Sequence, residues 1–362
     1  MKLIIISILL SFAGFSQVND SLLYQIKTIE NDTERVNQLY KNGFDIRNAD
    51  PELSYKIATL CEKEALKSKS IVHLAKSNNL LALLFYKKGD YTKALQYQKK
   101  SLQLSQSVNN QFWIAINQAN LGNIYSDINY PKLAEYSYLQ SLQASNQTGN
   151  TLQIARCLIN IGVLKHEQKE FNAAIKQFEE AMKYANDTGN QELMADCYNN
   201  IGTMLREQHK LDTALLYLEE GLKIRQLIDN EFELADSYNN IAMVYVLQKN
   251  FNQASNYILL ANNICSRYEY PEALVELYQT QSEFYEAQQN FEQANIFLKK
   301  YYTLKDSLQQ IDQENKDLIF IEEEVSLKSK THSTSNISNN WLLFPLIILL
   351  IGIPLFLIRY KR

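Results

Sequence analysis

The phrase Asn-Asn-Ile-Gly at 199–202 returns forty residues later as Asn-Asn-Ile-Ala at 239–242. A fixed period of that length constrains the fold more than any single motif, because every copy must bury the same face against its neighbour. The underlying pattern is a small residue, a large one three places on, and an alanine twelve places after the small one. Gly122, Tyr125 and Ala134 fit it, as do Gly162, Lys165 and Ala174, then Gly202, Leu205 and Ala214. Ala242, Tyr245 and Ala254 continue the series, with Ala82, Phe85 and Ala94 upstream and Ser282, Tyr285 and Ala294 downstream. The anchors fall at 82, 122, 162, 202, 242 and 282 without a slip. A weaker copy around DPELSYKIATLCEKEA puts Ser54 in the alanine slot, which makes seven units.

Each unit reads as two helices. Ile175, Phe178, Ala181 and Met182 repeat at helical spacing in a second helix, while the first carries the small anchor. Only 10 glycines and 5 prolines occur in the 362 residues, so few that an all-α chain is expected. Thr-Gly-Asn at 148–150 and 188–190 supplies a glycine stop between units. The small anchor lets the two helices of a pair approach closely, and the alanine does the same for the next pair. One pair cannot bury its apolar face alone, so the units must stack.

These residues resemble the tetratricopeptide repeat family from about Thr33 to Lys300, through NLGNIYSDINYPKLAEYSYLQSL, NIGVLKHEQKEFNAAIKQFEEAM and NNIGTMLREQHKLDTALLYLEEGL. The resemblance implies a right-handed α-solenoid of about seven helical hairpins whose first helices face a concave groove. Lys165 and Leu205 depart from the family's usual aromatic, and Ser282 from its glycine or alanine.

Asn120, Asn160, Asn200 and Asn240 each fall two residues before an anchor, and Asn79, Asn199 and Asn239 one position earlier still. Asparagine costs up to about 0.7 kcal/mol of helix propensity relative to alanine, so its recurrence in register requires a compensating interaction. Two readings follow. A ladder of amides facing the groove implied by the resemblance could hold a peptide backbone whatever its sequence. Alternatively, the amides bond helix to helix inside the solenoid. By the same spacing Asn123, Thr203, Arg206, Lys76 and Tyr86 join the groove candidates. Arg156 stands where family members that grip a carboxylate place a cation, but Asp196 and Asp236 fill that slot in the next two repeats, so a carboxylate clamp is not expected.

The two ends suggest a membrane layout. MKLIIISILLSFAGFSQ has the charge, apolar run and small residues of a signal peptide over 1–16, followed by a segment at 17–32. Residues 341–358 are eighteen uncharged residues, about 27 Å as a helix, flanked by Trp341 and by Tyr360 in a basic tail at 359–362. The expectation is a single-pass protein of a bacterial inner membrane, with a periplasmic solenoid over 33–300 and a cytoplasmic C-terminus. Between them, 301–327 reads as a capping helix or stalk. Its heptad positions Leu304, Leu308, Ile311, Asn315, Leu318, Glu322 and Val325 would allow a homodimer, and a polar linker follows at 328–340. This layout resembles the sensor half of bacterial membrane kinases and helix-turn-helix regulators, without the output domain.

With 36 Lys plus Arg against 40 Asp plus Glu, the chain lacks the basic surplus that nucleic acid requires. Cys157 and Cys197 occupy equivalent sites in adjacent repeats, about 10 Å apart and beyond the ~7 Å reach of a disulfide, so buried thiols are expected. The histidines, at 73, 166, 209 and 332, show no metal-ligand spacing, and no catalytic motif or cofactor loop occurs. The expected role is non-enzymatic: binding of a peptide or protein segment in signalling, with an envelope scaffold or a truncated sensor half as alternatives.

Overall fold

The computed structural model describes residues 28–47, 50–228, 231–268 and 271–308, all within the first of two units, Met1–Lys316. The described residues are helical throughout, in pairs: α1 (Asp32–Ile46) with α2 (Pro51–Lys67), α3 (Ile71–Lys87) with α4 (Tyr91–Ser107), and α5 (Gln111–Asp127) with α6 (Pro131–Thr148). Next come α7 (Thr151–Glu167) with α8 (Phe171–Asp187), α9 (Gln191–Glu207) with α10 (Leu211–Leu227), and α11 (Glu231–Leu247) with α12 (Phe251–Tyr268). The last pair is α13 (Pro271–Ala287) with α14, helical over 291–308.

The turns are cut to one template. Lys69, Gly89, Asn109, Asn129, Gly149, Lys169, Gly189, His209, Lys249 and Gln289 all adopt positive φ, twenty residues apart as far as His209 and forty apart after it. From Gly89 onward the residue after each closes the helix by a long backbone bond, such as Glu170 N–H to Lys165 O at 2.8 Å. Gly149 (φ 65°) and Gly189 (φ 64°) are the expected stops and Gly89 (φ 73°) is a third; the seven other sites carry a side chain in the left-handed region. Asn31, Asp50, Ser70, Asp90, Asn110, Asn150 and Asn190 then cap the next helix through their side chains.

The repeat pattern is a packing rule. A Cβ on Gly162 would stand 2.8 Å from Phe178 Cζ, one on Gly202 2.6 Å from Leu218 Cγ, and one on Gly122 would land on the Tyr138 ring. Each glycine thus admits the large side chain sixteen residues on, in the partner helix. The alanines at 94, 134, 174, 214 and 254 are fully buried. Ser54 and Ser282 fit the small slots because their hydroxyls donate to Gly43 O (2.6 Å) and Ala294 O (3.0 Å). The large position stacks on a ring twelve residues later where both are aromatic, as Phe85 does on Tyr97 and Tyr285 on Phe297. The four cysteines are buried and unpaired.

Each even-numbered helix packs on the odd one that follows, and successive odd helices also touch. Successive even helices make no comparable contacts, so the odd helices line the inner side of the stack.

One expectation is corrected. Among the described residues no helix is long and apolar enough to cross a membrane. Residues 1–16, 341–358 and 359–362, as well as Asn315 and most of the expected stalk, lie outside the described residues. The periplasmic, single-pass placement, with membrane attachment through a helix, is therefore withdrawn; it rested on end segments whose hydropathy has no counterpart in the described fold.

Candidate inner-face binding site

Because odd helices are stacked in register, side chains one repeat apart meet on the inner face. The amides do bond across repeats. Asn160 Nδ2 donates to Asn123 Oδ1 at 2.9 Å, which also accepts the Tyr138 hydroxyl at 2.9 Å. Asn240 Nδ2 donates to Asn199 Oδ1 at 3.2 Å, and Arg206 Nη1 donates to Asn240 Oδ1 at 3.3 Å. Asn79, buried, donates to Asn117 Oδ1 at 3.2 Å and accepts the Tyr40 hydroxyl at 3.4 Å. These pairs offset the helix-propensity cost of asparagine without any ligand.

The remaining candidates divide. Asn200 Nδ2 turns back to Asp196 O in its own helix at 2.8 Å. Asn239 is buried, and its Oδ1 has no hydrogen-bond partner. Asn120 is half-buried and Arg156 exposed, and neither side chain bonds another described residue. Lys76 Nζ donates to Asn37 Oδ1 at 2.8 Å and stands 5.7 Å from the Trp113 ring centre; burial lowers its pKa. The Tyr86 hydroxyl donates to Asp127 Oδ2 at 2.6 Å, and burial foremost raises its pKa. Thr203 is half-buried on the same helix as Arg206.

Charge changes sign along this face. The slot that holds Lys76 and Arg156 in the earlier repeats holds Asp196, Asp236 and Glu276 in the later ones. Arg206 sits among the later group: burial lowers its pKa, and Glu207, Glu276 and Glu283 oppose that effect. Glu276 is exposed yet crowded, and desolvation raises its pKa against the pull of Arg206. Groups on α9 and α13 therefore share one electrostatic environment, as the walls of a concave surface do.

Two polar clusters escaped sequence reasoning. Asn117, fully buried, accepts from Gln98 Nε2 (2.7 Å) and Ser101 Oγ (2.9 Å) and donates to Ser105 Oγ (3.0 Å). Arg225, also buried, donates to Asp196 Oδ1 (3.0 Å), Ser237 Oγ (2.7 Å) and Glu233 O (2.9 Å), and pairs with Glu233 Oε2 (2.9 Å). Burial raises the Asp196 pKa, with Arg225 opposing. The available signal was register: position 225 is Ala, Ser or Cys in the equivalent slots 185, 145 and 265, and position 98 is Tyr, Phe or Leu at 138, 178 and 218. Among the described residues no group of acids, histidines and cysteines is placed to hold a metal.

Family models described as tetratricopeptide repeat match residues 73–147, 153–226 and 234–261. No curated protein matches the sequence. Among solved structures, the apo form of RapI is similar at a TM-score of 0.61 and 14% identity, over 76% of this chain and 99% of that one. A Rap protein complexed with Competence and Sporulation Factor is similar at 0.60 and 11% identity, over 82% and 93%. A Rap conjugation gene regulator of the plasmid pLS20 in complex with the Phr* peptide is similar at 0.55 and 15% identity, over 76% and 96%. At such identities the likeness is one of fold.

Proposed function

This chain carries tetratricopeptide repeats, and from that premise we infer that it is a non-catalytic adaptor that holds a peptide or unfolded protein segment along the inner face of its odd helices. The observation that carries this reading is that face itself: polar side chains from consecutive helices, in register, crowded yet open to water. Arg156, Asn120 and Glu276 are left with bonding capacity there, while Asn123, Asn160, Asn199 and Asn240 hold one another in place. Preorganised amides of this kind lose little entropy on binding, which favours capture of an extended backbone. Two of the similar folds were solved in complex with Competence and Sporulation Factor and with the Phr* peptide, which supports a binding role here.

The sign change along the face gives the bound segment a direction. Acidic residues of the segment pair with the Lys76 and Arg156 end, and basic residues with the Glu276 and Glu283 end. The test is to pan the immobilised full chain against a display library of random dodecapeptides and measure the enriched sequences by calorimetry. Enriched peptides with that charge order, weakened at least tenfold by Arg156→Glu with Glu276→Lys, support the reading. Failure to enrich any sequence, or full affinity in the charge-reversed double variant, refutes it.

A further inference from the structure

Phe112 stands at the start of α5 with its side chain 45% exposed, and Ile116, half-buried, follows one turn along the same side. That side continues through Asn120 and Asn123, so both apolar residues belong to the inner face. The equivalent slots hold Val72, Leu152, Glu192, Phe232 and Glu272, so stacking of the repeats does not dictate what stands there. The Phe112 ring is nonetheless held in place. It meets Trp113 at 83° with ring centres 5.8 Å apart, and the buried Trp113 in turn meets Tyr40 of α1 at 87° and 5.6 Å. One exposed phenylalanine is ordinary by itself; the charge around this one says what would cover it.

That charge has one sign. On the α3 side Lys76 Nζ stands 5.7 Å from the Trp113 ring centre. On the α7 side Arg156 lies one turn beyond Leu152, exposed and without a side-chain bond to another described residue. No carboxylate occurs in α3, and α5 and α7 carry one each, at their last residues Asp127 and Glu167. By contrast α9, α11 and α13 place Asp196, Asp236 and Glu276 where the earlier inner helices have Lys76, Ile116 and Arg156. The surroundings of Phe112 therefore attract an anionic group and repel a cationic one, while the ring itself accepts an apolar group.

We propose that Phe112 anchors an aromatic or large aliphatic side chain of the bound segment, and that Arg156 receives a carboxylate two residues away from it. This rests on the inner-face reading above and adds to it the kind of segment that binds. Side chains two residues apart in an extended segment point the same way, about 7 Å apart. The length of the arginine arm extends that to the spacing of neighbouring helices, about 8–10 Å. A ring laid against Phe112 and Ile116 leaves water at an aromatic surface already fixed by Trp113, so little ordering opposes it. A lysine at either place would meet Lys76 and Arg156, and a small polar residue would leave the Phe112 ring wet.

The probe is a set of acetylated dodecapeptide mixtures titrated against the full chain by fluorescence anisotropy. The sixth residue is fixed as Phe, Leu or Ala, and either the fourth or the eighth as Asp, Asn or Lys. Phe or Leu beside Asp should bind about tenfold more tightly than Ala beside Asp, and Lys in place of Asp should lose about tenfold. Phe112→Ala should abolish the gain from Phe or Leu, whereas Phe112→Tyr should keep it and guards against a folding defect in the first variant. Arg156→Gln should abolish the preference for Asp. Peptide binding with no aromatic or aliphatic preference overturns the anchor and leaves the inner-face reading standing. A preference that survives Phe112→Ala also overturns it. So does self-association in sedimentation that disappears in Phe112→Ala, which would give the ring to a contact between two copies of the chain. No binding by any mixture refutes the two readings together.

Discussion

Replacing Gly162 by alanine is the sharpest test of the packing rule, because two known effects oppose each other. In an unhindered helix the change stabilises by about 1 kcal/mol, since alanine is the better helix former. Here the new Cβ would stand 2.8 Å from Phe178 Cζ and 3.0 Å from Cε1 and Cε2. Carbon atoms pack at about 3.5–4.0 Å, so α7 and α8 would have to part by most of an ångström or the ring would have to leave its rotamer. Phe178 is fully buried and has nowhere to swing. Overpacking of this kind costs about 1–3 kcal/mol, and the rigidity of a ring puts it toward the upper end. The net expectation is a loss of about 1–2 kcal/mol, read as a lower urea midpoint of the helical signal. Phe178→Ala alone should cost about 3–5 kcal/mol. In that background Gly162→Ala should become stabilising, so that the double-mutant cycle shows a coupling of about 2–3 kcal/mol. If Gly162→Ala raises the midpoint in both backgrounds, the anchor glycines do not serve close approach and the reasoning fails.

Arg225→Met should lower stability by about 2–3 kcal/mol in chemical denaturation, because it strips the buried guanidinium from Asp196 and Glu233, whose side chains stay partly wetted; an unchanged midpoint would show the cluster to be ornamental. Asn117→Ala leaves the Gln98 and Asn79 amides short of their shared acceptor and should cost about 3 kcal/mol by the same measurement. Lys210→Asp gives α10 the side-chain cap it lacks and should raise the midpoint by about 1 kcal/mol. His73 is held below its ordinary 6.5, first by burial and then by Lys76. Its contribution is therefore complete above pH 6.5 and is lost as acidification protonates the unfolded chain first. Melts of His73→Gln between pH 7 and 5 should show a flatter decline than the parent; equal slopes would remove His73 as the cause.

Much of this fold could be read from the linear chain because a solenoid turns sequence period directly into spatial period. The forty-residue recurrence, the small anchors and the buried alanines report contacts between neighbours in sequence, and local contacts leave local patterns. The glycine stops at 149 and 189 follow from the same logic. The ends were another matter: hydropathy at 1–16 and 341–358 suggested a membrane layout that nothing in the described helices supports.

The candidate site was only half legible. Register alone placed Asn123, Asn160, Asn199 and Asn240 on neighbouring helices, but it could not say whether an amide faces a ligand or its own counterpart. That is decided by side-chain directions across a 2.9–3.2 Å gap, set by how far the inner helices are tilted together. Sequence determined the solenoid, its period and the residues that line its inner side, since these depend on which positions are small and which are apolar. Tertiary structure alone decided which polar groups are spent on one another, where Arg225 finds its carboxylates, and why Phe112 faces water while Trp113 beside it is buried. Those outcomes depend on volumes and hydrogen-bond vectors from three helices at once, and no single stretch of chain contains them.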